Sequence, residues 1–158
     1  MAKRYWLMKS EPSAYSFSDL MKAPKKADHW DGVRNYLARN RMMEMEKGDR
    51  ILFYHSNTSP PYVAGIAEVA REAYPDHTAL NPKSKYYDPK ATSDDPRWFM
   101  VDVRAVEAFS SLVTLPDLKA NPKLAKMSVV QRGQRASVLP VTAAEYKEVL
   151  KMGGAKGG

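Results

Sequence analysis

Apolar and polar positions change their spacing several times along the chain, and each change marks an element. Tyr5-Trp6-Leu7-Met8-Lys9-Ser10 is an aromatic-rich run closed by Glu11-Pro12-Ser13, which predicts a first strand. Ser16 followed three positions later by Asp19 reads as a capping box for a short helix that must end before Pro24. Lys25-Lys26 follows in a loop, and His29-Trp30-Asp31-Gly32 reads as a turn. From Val33 to Glu46 the spacing is helical: Val33, Tyr36 and Leu37 share one stripe, with Met42, Met43 and Met45 near it. Lys47-Gly48-Asp49 stops that helix.

Arg50 to Ser56 is apolar on both faces and predicts a central strand. Tyr62 to Ala73 predicts another, with Gly65 marking a bend or a close backbone approach. Tyr74 to Pro96 is a long polar excursion broken by four prolines, of a length that is functional or carries a short helix. Trp98 to Phe109 alternates and then slips phase, which predicts a long strand with a bulge near Ala105. Leu115 to Leu124 predicts a short helix, Ser137-Val138-Leu139 a last strand, and Thr142 with Glu145 caps a final helix over Tyr146, Val149 and Leu150.

Strands without regular full-length helices between them predict a mixed α+β fold on a compact, partly closed, mostly antiparallel sheet. No repeat and no second core are expected. Residues 1–152 read as one domain and 153–158 as a flexible Gly-rich tail, which lacks the Walker spacing of a phosphate loop.

Composition adds exclusions. The chain has 158 residues and no Cys, so a disulfide framework, a thiol nucleophile and thiolate metal sites are excluded, and a reducing compartment is expected. No apolar run approaches the ~20 residues that cross a bilayer, and the run at Tyr5 is too short for a signal core. A cytoplasmic protein with no membrane partner is the expectation. The 25 Lys and Arg against 18 Asp and Glu give a net charge of +7, which favours polyanionic partners, nucleic acid first.

Candidate chemistry is sparse. His29, His55 and His77 share no metal spacing, so neither a metal nor a cofactor is expected. There is no Gly-x-Ser-x-Gly elbow, and His55 and Ser56 are strand neighbours that point to opposite faces. Asp94-Asp95 reads as turn chemistry. No catalytic residue is assigned.

Trp30 to Asn40 is the most informative stretch. It sets a Trp before a glycine turn and Arg34-Asn35 at a helix start, where free N–H groups attract anions. A Trp face stacks a base, and an Asn amide pairs a base edge. The same residues also fit a core Trp and a capping Asn. Lys9-Ser10, Tyr54-His55-Ser56 and Asp95-Pro96-Arg97-Trp98 are further clusters, which converge with Trp30 only if their strands are neighbours.

Taken together, Tyr-Trp-Leu-Met-Lys-Ser-Glu-Pro (5–12), Trp30 to Asn40, Gly48 to Ser56, Asp95 to Trp98 and Ser137 to Val141 resemble, in order, the segments of the EVE domain, a PUA-like family with small stand-alone bacterial members. The resemblance implies a partly closed β-barrel ringed by short helices. It also implies a non-catalytic module that holds a modified base flipped from DNA, modified cytosine favoured, or from RNA. Related YTH domains hold a methylated adenine in an aromatic cage.

Carried onto this sequence, the base pocket would use Lys9, Ser10, Trp30, Asn35, Tyr54, His55, Ser56 and Trp98. Trp30 would stack, and Asn35 and Ser10 would bond the base edge. Phosphates would fall to Lys9, Arg34, Arg39 and Arg97, on a protein expected to be a monomer. Two other readings fit the residues: an enzyme on a nucleotide or modified base with His55 or Lys9 as acid or base, and a binder of a free small molecule.

Overall fold

The computed structural model describes residues 3–156. Six strands, β1 (Tyr5–Ser10), β2 (Ala27–Trp30), β3 (Arg50–His55), β4 (Tyr62–Pro75), β5 (Phe99–Thr114) and β6 (Val138–Val141), form one sheet in the order β2-β5-β4-β3-β1-β6. Every pairing is antiparallel except that of β1 with β3. Among the described residues, four α-helices surround it: α1 (Phe17–Lys22), α2 (Tyr36–Glu44), α3 (Leu115–Ala120) and α4 (Ala143–Gly153).

Local chemistry accounts for most of these elements. Ser16 and Asp19 exchange the reciprocal bonds of a capping box, as do Thr114 with Asp117 and Thr142 with Glu145. The bulge expected near Ala105 is present, because Ile66 pairs with Glu107 and Ala67 with Ala105, leaving Val106 unpaired. Gly65 is a close approach: a Cβ there would sit 2.6 Å from the Phe17 ring and 2.7 Å from the Glu107 carbonyl.

Four expectations need correction. Residues 27–30 pair with β5 as an edge strand, although short polar runs such as Asp28-His29 read as turns. The second helix begins at Tyr36, because the Asn35 side chain caps it; Ala38 and Met42 face inward, while Tyr36, Leu37 and Met43 are exposed. Apolar clusters cover both faces of the sheet. Trp6, Met8, Ile51 and Phe53 lie on one face with α1 and α2, and Leu7, Leu52, Val63 and Ile66 lie on the other with α3 and α4, as alternation along each strand dictates. The last helix runs through Gly153, which packs on Phe109, and closes on left-handed Gly154, so 153–156 is an anchored end. Gly157 and Gly158 of the expected tail lie outside the described residues.

The sheet is open, with β2 and β6 as edges, but strongly curled. Trp30 on β2 and Phe53 on β3 are three strand positions apart, roughly 14 Å across a flat sheet at ~4.8 Å per strand. Their ring centroids are 5.3 Å apart, so β2 bends over the concave face toward β3.

Candidate nucleic-acid interface

The parity of β1 and β3 sorts the predicted residues. Ser10 and His55 end their strands on the concave side, with Phe53 and Trp30. Lys9 and Tyr54 point to the other side, with the Lys9 ammonium 5.9 Å from the Tyr54 ring centroid.

Trp30 is half-buried. One part of its indole packs edge-on against Phe53, and its N–H has no hydrogen-bond partner among the described residues. A short relay ties this ring to the end of β1. Ser10 donates its hydroxyl to the Tyr15 carbonyl at 2.7 Å, and Tyr15 donates its own to Asp28 at 2.8 Å, two residues before Trp30. Burial raises the Tyr15 phenol, and the Asp28 carboxylate raises it further.

His55 lies beneath this group, only 2% exposed. Its Nε2 accepts the Phe17 backbone N–H at 3.2 Å, so that nitrogen is unprotonated and Nδ1 donates to the Ser10 carbonyl at 2.9 Å. Burial holds its pKa below the ordinary imidazole value, against the raising effects of the Ser10 carbonyl and Asp19. Both nitrogens are committed to joining β3, β1 and α1. Ser56 donates its N–H to the same Ser10 carbonyl at 3.2 Å. Tyr54, 3% exposed, is part of the opposite core, and burial pushes its phenol up to about 12.

The turn after Trp30 is held from outside. Asp76 is fully buried and accepts N–H bonds from Gly32 at 2.9 Å, Arg34 at 3.0 Å and Thr78 at 2.8 Å. Burial by itself would raise this carboxyl, but the bonds from Thr78, Gly32 and Arg34 hold it below the usual carboxylate range. Gly32 has φ +78° and lies under the Tyr86 ring, where a Cβ would be 2.6 Å from the nearest ring carbon. Arg34 also donates to Thr78 Oγ1, to its neighbour's carbonyl and twice to the Tyr86 carbonyl. All five of its N–H groups are taken within the fold, so it is a pin for the turn and has no donor left for a phosphate.

Asn35 is exposed, but its Oδ1 accepts the Ala38 N–H at 3.0 Å, which makes it the cap of α2 and leaves only its NH₂ available. Trp98 is 5% exposed in a small cluster with Ala79 and Ala91; its indole N–H donates to Asp88 at 2.7 Å and its ring stacks on Tyr36 at 4.7 Å. It is a buttress and not a second open wall. Arg39 lies over the outer Tyr36 ring and donates to Asn40 and to the Arg97 carbonyl, while Arg97 bonds the Tyr36 hydroxyl and pairs with Asp88.

Many Lys and Arg side chains form no ion pair among the described residues, and four of them, Lys9, Arg41, Arg132 and Arg135, belong to or border the segment that leads into β6. Lys9 and Arg41 both reach that segment: Lys9 donates its backbone N–H to Ser137 at 2.9 Å and its ammonium to the Gln134 carbonyl at 3.4 Å, Arg41 donates to the Val138 carbonyl at 2.6 Å, and Arg132 and Arg135 are exposed in the same segment. Burial lowers the Lys9 pKa with no carboxylate to oppose it. Sequence reasoning found Lys9 alone, because nothing local links Arg41 to residues 132–138. Two shallow depressions, one lined by Lys123, Lys147 and Lys151 and the other by Leu112, Asp117 and Met152, belong to α3 and α4 on the opposite side of the sheet. No His, Asp or Glu group among the described residues can hold a metal, and no helix is long and apolar enough to cross a membrane.

The mixed α+β architecture, an open six-stranded sheet with four short α-helices, is the PUA-like fold of its structural neighbours. The chain belongs to the EVE domain family, whose model matches residues 4–152. It is 38% identical to human thymocyte nuclear protein 1 over 94% of this chain and 73% of that protein. A structure of human THYN1 in complex with 5-methylcytosine-containing DNA has TM-score 0.90 and 37% identity, covering 98% of this chain and 99% of that one. A hypothetical protein from Leishmania major is 50% identical with TM-score 0.90, covering 97% and 96% of the two chains. A YTH domain of Zygosaccharomyces rouxii shares the fold at 18% identity and TM-score 0.53, covering 95% of this chain and 86% of that one.

Proposed function

We propose that this protein binds nucleic acid carrying a modified base, with modified cytosine in DNA the favoured ligand. The observation that carries the reading is the partly exposed Trp30 indole, fixed on Phe53, in a chain as similar as this one is to a protein solved with 5-methylcytosine DNA. The Trp30 face stacks the extruded base. The Asn35 NH₂ and the Ser10 hydroxyl oxygen stand as the polar groups for its edge. Lys9, Arg41, Arg132 and Arg135 take the flanking phosphates.

Stacking on a ring contributes ~1–3 kcal/mol per base. A methyl in an apolar niche adds roughly 0.8 kcal/mol, about a fourfold preference. Most of the affinity therefore comes from the phosphate field and is salt-dependent. The committed nitrogens of His55 argue against acid–base chemistry there, since neither can exchange a proton without losing a bond that joins the strands.

The test is anisotropy titration of matched duplexes with and without one 5-methylcytosine, for the native chain and Trp30→Leu. Leu keeps apolar contact with Phe53 and removes the stacking plane. The native chain is expected to prefer the modified duplex and the variant to lose the preference while melting as a folded protein. Equal binding of both duplexes by the native chain, at low and high salt, refutes the reading, and equal affinity for the free nucleoside and the duplex turns it toward a small-molecule binder.

A further inference from the structure

Residues 76–98, between β4 and β5, are too long for a plain connection in a compact domain. Their own apolar support is small: Ala79, Ala91 and Trp98. They are held instead by polar groups. Asp76 fixes one end to the Trp30–Arg34 turn, Arg34 binds the Tyr86 carbonyl from two nitrogens, and Asp88 receives the Trp98 indole. Both of these carboxylates face inward. On the outside, Lys83, Lys85 and Lys90 are exposed and form no ion pair among the described residues, and the Tyr87 ring is 41% exposed. Asp94 and Asp95 are exposed later in the excursion, so it is the 81–90 stretch whose outer side is cationic and carries an open ring. It adjoins the base platform, since Tyr86 lies on Gly32, two residues from Trp30.

We propose that residues 81–90 form a second nucleic-acid contact, separate from the one at Lys9. Lys83, Lys85 and Lys90 engage backbone phosphates flanking the read base, and Tyr87 stacks on an adjacent base or sugar. The proposal rests on the nucleic-acid reading above but not on which base is read. A polar network that pre-orders a cationic loop lowers the cost of fixing it on binding.

The experiment uses the full chain, a duplex of about 20 base pairs with one central 5-methylcytosine and its unmodified match, titrated across salt. Combined Lys83→Gln, Lys85→Gln and Lys90→Gln is expected to reduce the slope of log affinity against log salt by roughly 2–3, at about 0.9 per phosphate contact. The ratio between modified and plain duplex stays unchanged. Tyr87→Ala is expected to weaken binding roughly fivefold or more. If the triple variant melts early, Lys90→Gln alone carries the test with an expected slope change of about 1. Native slope and affinity in the folded variants overturn the proposal, and would turn attention to an acidic protein surface as the occupant. A reduced slope in a protein with no preference for the modified base leaves this contact standing and removes the base reading instead.

Discussion

Arg34 and Asp76, 42 positions apart, meet at 3.0 Å with the carboxylate fully buried, and this pair joins the Trp30 turn to the long excursion. Removing one partner leaves a buried group without its counter-charge, whereas replacing both by well-packed apolar residues would cost less. Asp76→Ala is therefore expected to destabilise the fold by about 3 kcal/mol, a fall in Tm of roughly 6–12 °C for a domain of this size. Amide exchange should rise first in residues 77–98 and last in β1 and β3. Arg34→Lys should cost part of this, since an ammonium cannot reproduce five directed donors. A native melting curve for Asp76→Ala would contradict the assignment.

His55 predicts a pH dependence. Its folded pKa lies below 6.5, so the unfolded chain takes up a proton first as pH falls. The stabilisation is fully present above the unfolded value and is lost as pH falls through 6.5 toward the depressed folded value. Urea denaturation between pH 7.5 and 5.0 should show declining stability, and His55→Gln should flatten that decline after an overall loss. An identical pH slope in the variant would assign the effect to another group.

Gly65 predicts a steric failure. An added methyl meets the Phe17 ring, which can shift, and the Glu107 carbonyl, which is held in the sheet. Gly65→Ala should cost about 1–3 kcal/mol, as overpacking does. Combining it with Phe17→Leu should recover only the ring's share, measurable as a partial return of Tm.

The segment that leads into β6 predicts a shift in salt dependence. Arg132→Gln with Arg135→Gln should lower the salt slope of duplex binding by roughly 2 without changing the preference for the modified base. Both side chains are exposed, so stability should hold within about 0.5 kcal/mol. Unchanged slopes would move the phosphate contacts away from this segment.

Much of the scaffold was legible in the sequence because its signals are local. The capping boxes at Ser16 and Thr142 act over three residues, and β1 and β3 are runs of apolar side chains that only a buried strand accommodates. The slip near Ala105 and the glycine at 65 also announced themselves by position. The strand at 27–30 did not, because Asp28 and His29 take part in pairing through backbone groups that any residue carries. Coverage of both faces was legible only at Arg50 to Ser56, which is apolar on both sides; what packs on each face was not, because it comes from segments distant in sequence.

The site divides along the same line. The chain by itself determined that an indole precedes a glycine turn, that the turn leads into a capped helix, and that basic charge is in excess, since these depend on neighbours or on composition. Only the tertiary structure decided which cations remain unneutralised. Arg34 looked like a phosphate ligand and is consumed by Asp76, while Arg41 looked ordinary and reaches the same 134–138 segment as Lys9. Coulombic and hydrogen-bond partnership depends on distance in space. A curled sheet that brings Trp30 to Phe53 and residue 9 to residue 134 sets those distances through pairings that no local stretch of sequence encodes.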